Sequence, residues 1–203
     1  SFASPSTLLE GFLRQHGWGQ VVEDSALNRS AYELARLVGE TKATLNAAEL
    51  TQHMRFALTR HGVSDAQVLP YTFRAQTRPR IADHLPRLLA RLNRRSMPTH
   101  YGLATHRSGH GWTLTLLLVH RAAHLRIPLP RTLATEMPVS IQGTLRRGYF
   151  KPRVLIRSPK GHFREYAHRG ENRQFQFEVP FENGPGPYRL ELVADSQYGP
   201  VVL

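Results

Sequence analysis

The sequence contains no cysteine. That excludes a disulfide scaffold, thiolate zinc sites and a cysteine nucleophile. It contains no long apolar run either. The longest centres on Leu116 to Val119, far short of the roughly 18 residues that a membrane-spanning helix needs. Lysine is scarce, with 3 against 24 arginines. Carboxylates nearly vanish between residues 74 and 131, where Asp83 stands among eleven arginines. The arginine skew is read mainly as GC-rich codon usage, although the guanidinium fork also binds planar anions better than an ammonium does.

What is present is an ordinary globular composition, 203 residues with 40% hydrophobic, so wholesale disorder is excluded. At roughly 150 residues per domain there is room for one large domain or two small ones. The formal net charge is +12. The chain opens at Ser1, with no positively charged segment leading into an apolar stretch. It is read as a mature or trimmed chain, with any export signal upstream.

Residues 1–93 read as helices. Leu8, Leu9, Phe12 and Leu13 follow Pro5 and Ser6, and Gly17 ends the segment. Asp24 or Ser25 caps a second helix, with Leu27, Ala31, Leu34, Ala35 and Val38 on one face. Asn46 to Glu49 has the form of a capping box, followed by Leu50, Met54, Ala57 and Leu58. Residues 63–80 read as a looser stretch rich in Pro and Arg. Ile81, Leu85, Leu88, Leu89 and Leu92 form a fourth apolar stripe.

The pattern changes at Tyr101. Tyr101 to Thr105 and Trp112 to Leu118 flank Ser108-Gly109-His110-Gly111, a hairpin signal. Leu117 to Val119 read as a strand end buried on both faces, and Ala122 to Ile127 as a continuation of that sheet. Pro128, Pro130 and Pro138 punctuate a linker. Six short strands are then predicted at Val139–Leu145, Arg153–Arg157, His162–Ala167, Gln174–Val179, Tyr188–Ala194 and Gly199–Leu203. The expected fold is therefore α+β. Helices pack on a small antiparallel sheet over residues 1–127, a Pro-rich linker covers 128–137, and a small immunoglobulin-like all-β sandwich covers 138–203.

The segment Thr99-His100-Tyr101-Gly102-Leu103-Ala104, the hairpin Ser108 to Gly111, and the strand Trp112 to Leu118 resemble the CAP superfamily in its bacterial versions. That superfamily groups cysteine-rich secretory, antigen 5 and pathogenesis-related proteins. Some bacterial relatives append a β-sandwich, to which Gly186 to Leu192 and Tyr198 to Leu203 are similar. The resemblance covers most of the chain in layout and about forty residues in pattern. The family's cleft holds two histidines and two acidic residues. Here Leu45-Asn46 and Leu88 to Arg91 stand where the histidines would fall. No Gly-Glu-Asn occurs near Gly62 to Tyr71, and Gly170-Glu171-Asn172 lies in the other domain. The resemblance therefore implies a member that has lost the cleft, and no catalytic or metal residue is carried over.

Arg80, His84, Arg87, Arg91, Arg94 and Arg95 fall opposite the apolar stripe of the fourth helix and form one basic face. They are read as a contact surface for an anionic partner, or alternatively as a solvated helix face. No aromatic residue that would stack a base lies beside them. His100, His106 and His110 are weak metal candidates; exposed hairpin polarity is the competing reading. His120 and His124 are read as strand or loop residues. Ser108 beside His106 or His110 invites a hydrolase reading, but no Gly-x-Ser-x-Gly elbow accompanies it. Trp112, Tyr101 and Phe73 read as packing residues, and Trp18 as a wedge for the first helix.

The leading expectation is a non-enzymatic, exported or cell-envelope binding and assembly module that uses its basic surface on an anionic protein, glycan or lipid headgroup. No cofactor is expected. The alternatives are an envelope-polymer hydrolase with an unrecognised cleft, and an intracellular nucleic-acid binder.

Overall fold

The computed structural model describes residues 5–15, 20–41, 45–63, 65, 67–77, 84, 85, 87, 98–127, 129, 130, 132, 133, 137–168 and 173–203. Among them the fold is α+β, with two compact units, Ser1–His120 and Arg121–Leu203. The predicted stop at Gly17, the wedge at Trp18 and Gly170-Glu171-Asn172 lie outside the described residues, as does most of the fourth apolar stripe.

The first unit is built on β1 (Val22–Glu23), β2 (Val68–Ala75), β3 (His100–Ser108) and β4 (Gly111–Val119), in the order β1-β3-β4-β2. The predicted hairpin forms, with Ser108 opposite Gly111, which sits at φ 110°. β1 runs parallel to β3 and the other pairs are antiparallel. β2 corrects the expectation of a loose stretch over 63–80. Pro70 is tolerated there because β2 is an edge strand with one side free of the ladder.

Successive β4 side chains point to opposite faces, and both faces are covered. Leu114, Leu116 and Leu118 pack with Leu9 and Leu13 of α1 (Pro5–Gln15), with Leu85 and with Tyr101. Phe73 and Trp112 join the same cluster as packing residues. Leu117 and Val119 pack with Leu27, Ala31 and Leu34 of α2 (Ser25–Glu40) and with Met54 and Leu58 of α3 (Ala47–Arg60). The unit is thus helix, sheet and helix pair in layers. Each fully buried leucine contributes roughly 1.5–3 kcal/mol, so the four at 114 and 116–118 make β4 its central element.

The helix ends follow from short-range chemistry. Asp24 caps α2, its carboxylate accepting from the N–H groups of Ala26 at 2.8 Å and Leu27 at 2.9 Å. Arg74 of β2 donates to the carbonyls of Val38 and, at 2.7 Å, Thr41, placing a cation at the negative end of α2. The capping box is present in α3. Glu49 N–H donates to Asn46 Oδ1 and Asn46 N–H to Glu49 Oε2, both at 2.9 Å.

In the second unit, β5 (Ala123–Leu125), β6 (Val139–Leu145) and β9 (Gln174–Val179) form one sheet. β7 (Tyr149–Arg157), β8 (Phe163–Ala167), β10 (Arg189–Ser196) and β11 (Gly199–Val202) form the other, in the order β11-β10-β7-β8. Ile141, Leu145, Phe175 and Val179 from the first sheet share one core with Val154, Ile156, Leu192 and Ala194 from the second. β5 pairs with β6 through Ala123 opposite Leu145. Residues 121–127, expected in the first domain, therefore belong to the second unit, and the expected linker lies between two of its strands. The reason is local: these few residues satisfy the free edge of β6.

Candidate functional site

Of the six residues of the expected basic face, Arg80, Arg91, Arg94 and Arg95 lie outside the described residues. His84 and Arg87 are helical and exposed, and Leu85 between them is buried against α1 and β4. The His84 ring lies 5.7 Å from that of Phe73. The apolar side of this turn therefore faces inward and the basic side faces solvent.

The three metal candidates do not converge. His100 and His106 share a face of β3, as their parity predicts, but six residues of strand separate their Cα atoms by about 20 Å. A metal ligand set needs every donor within about 2.3 Å of one ion. His100 Nδ1 is hydrogen-bonded to the Thr99 hydroxyl at 2.8 Å. His106 packs edge-on to Tyr32, with Nε2 3.6 Å from Glu40. His110 is exposed in the turn, and its N–H donates to Ser108 Oγ at 3.1 Å. The Ser108 hydroxyl is thereby engaged in shaping the hairpin. Of the other histidine pair, His124 lies in β5 and His120 precedes it outside any strand. No group of three or more His, Asp or Glu arranged for a metal ion occurs among the described residues.

A concave site does exist, on a surface that the sequence reading does not single out. A groove of about 510 Å³ lies between α2, the end of α3 and β3. Arg29, Tyr32, Glu33 and Arg36 line it from α2 at i, i+3, i+4 and i+7, which is one helix face. Arg60 and His61 enter from the end of α3, and Leu103 and Ala104 form an apolar part of the wall. Two contacts hold α2 down onto β3. Gly102 passes directly beneath Leu27, and Asn28 Oδ1 accepts from Leu103 N–H at 2.8 Å.

Among the described residues Glu33 is the one carboxylate lining the groove, and its side chain is 18% exposed. It receives Arg60 Nη1 at 3.0 Å and His61 Nε2 at 2.9 Å. Arg36 is paired with Glu40 at 3.1 Å along the helix. Arg29 has no ion pair among the described residues. Tyr32 is half exposed. Among the described residues the groove thus presents three guanidinium groups, two of them already paired with carboxylates, beside an imidazole and an aromatic face. Such a site attracts anions. The Glu33–His61 pair also has the form of an imidazole oriented by a carboxylate, the element that general-base chemistry uses.

Tyr101 lies away from this groove, on the α1 side of the sheet. Burial, with the Glu23 and Glu10 carboxylates adding to it, pushes its phenol up to about 12. Its hydroxyl stays neutral at physiological pH and its role is packing.

The stripe Arg29, Tyr32, Glu33, Arg36 is visible in the sequence as the polar side of the second helix. Nothing local announces that His61, 28 residues beyond Glu33, returns to it. No family model matches the chain, and no curated protein matches it.

Proposed function

We propose that this protein is a binding and assembly module of the cell envelope or extracellular space, a CAP-like domain followed by an immunoglobulin-like sandwich, that contacts an anionic partner through basic surface on its first unit. The observation that carries this reading is the groove beside α2, where Arg29, without an ion pair among the described residues, adds its charge to the Arg36–Glu40 and Arg60–Glu33 pairs. The basic side of the turn holding His84 and Arg87 extends the same chemistry. Arginine dominates the cation content, and its fork suits carboxylate, phosphate and sulfate groups. The test is the affinity of the full chain for inorganic polyphosphate, with and without the combined changes Arg87→Ala, Arg91→Ala, Arg94→Ala and Arg95→Ala. A loss of about tenfold, or roughly 1.4 kcal/mol, is expected. Unchanged affinity overturns the contribution of those four arginines.

One observation favours a second reading, a hydrolase acting on an envelope polymer. Glu33 and His61 meet at 2.9 Å within a groove large enough for a ligand. An imidazole held by a carboxylate activates water when its other nitrogen is free to accept a proton. In this reading Glu33→Gln abolishes turnover and leaves ligand affinity within a few-fold. Chain-length analysis of an anionic polysaccharide after prolonged incubation separates the two readings, because a binding module returns the polymer intact.

A further inference from the structure

We infer that the α2–α3–β3 groove is a saccharide site for a uronic-acid residue, with Arg29 taking the sugar carboxylate and Tyr32 carrying the ring. The inference deepens the anionic-partner reading and rests on it.

The groove's own charges select this ligand over a polyphosphate or nucleic-acid backbone. Arg29 is the guanidinium without an ion pair among the described residues, and it stands one helical turn before Tyr32 on the same face. A single carboxylate docks there bidentately without breaking an existing pair. Arg36 and Arg60 are engaged with Glu40 and Glu33. They retain N–H donors for hydroxyls but little uncompensated charge for further anions. Glu33 accepts hydrogen bonds from sugar hydroxyls, and with Arg36 and Arg60 already paired the groove offers too little free positive charge to hold a closely spaced row of phosphates. Half-exposed Tyr32 offers a flat face for the C–H side of a pyranose, and one aromatic is too few for a run of stacked bases. Leu103 and Ala104 supply apolar wall, as ligand grooves of this size commonly do.

Isothermal titration of the full chain with trigalacturonate tests the inference. A neutral trigalactoside and inorganic polyphosphate serve as comparison probes. Saturable binding of trigalacturonate is expected, about tenfold or more tighter than that of the neutral sugar. Arg29→Ala should weaken it by about tenfold, and Tyr32→Ala by a similar factor, while Tyr32→Phe should stay within about twofold. Both positions are exposed, so the variants keep the fold. Equal binding of the neutral sugar, or trigalacturonate binding indifferent to Arg29→Ala, overturns the site. Polyphosphate binding without trigalacturonate binding overturns the saccharide inference and leaves the anionic-partner reading standing. Binding of neither probe overturns both.

Discussion

Gly102 of β3 lies so close to Leu27 of α2 that a Cβ on it would sit 2.3 Å from the Leu27 carbonyl carbon. No side chain fits there, and the obstacle is backbone rather than a flexible tip. This contact sets the height of α2 above the sheet and so the depth of the groove beside it.

Gly102→Ala should therefore destabilise the protein by about 3 kcal/mol, at the upper end of overpacking costs, because a helix must lift to accommodate it. Chemical denaturation of the variant measures the loss. Stability within about 0.5 kcal/mol of the parent would show that α2 does not rest on β3 as described.

Arg74 closes the carboxyl end of α2 from the neighbouring edge strand. Arg74→Ala should cost about 1 kcal/mol, the usual scale for a hydrogen bond from a charged donor combined with a helix-end charge. Hydrogen exchange should localise the effect to the last turn of α2. A global loss with no local signature would argue against a capping role.

The Tyr101 phenol, pushed up to about 12 by burial and then by Glu23 and Glu10, links stability to alkaline pH. The folded state holds the proton more tightly than an unfolded tyrosine near 10 does. Its contribution is therefore complete below pH 10 and is lost as pH rises toward 12. Tyr149, raised by burial, acts in the same direction. Tyr101→Phe should flatten part of the fall in melting temperature over that window. A curve as steep as the parent's would remove Tyr101 from the linkage.

Asn46 and Glu49 satisfy each other's end of α3. Asn46→Ala should cost about 1 kcal/mol, and the double change with Glu49→Ala should cost less than the sum of the two single changes, because both act through one box. Strict additivity in denaturation experiments would contradict the reciprocal geometry.

Local rules carried much of this fold into view. Val139–Leu145 and Gln174–Val179 were readable to the residue because strict alternation specifies a half-buried strand. The box at Asn46 was readable because its chemistry spans only three residues. β2 was not, since Pro70 and the charged Arg74 imitate a loop until the strand is known to lie at an edge. β5 was readable as extended chain within Ala122 to Ile127, but three residues carry no signal for which sheet they join. The basic turn at His84 and Arg87 follows from helical spacing, whereas the groove depends on the return of His61 to Glu33, which no spacing rule encodes.

The proposal that arginines of the first unit hold an anionic partner is tested most directly by the salt dependence of polyphosphate binding by the full chain. Each arginine-to-anion contact contributes roughly 0.7 to the slope of log affinity against log salt on a flexible polyanion. A steep slope is expected for the parent, shallower by up to about 3 in the variant carrying Arg87→Ala, Arg91→Ala, Arg94→Ala and Arg95→Ala. A parent slope near zero would contradict the proposal, and identical slopes for the two proteins would remove those four arginines from the contact.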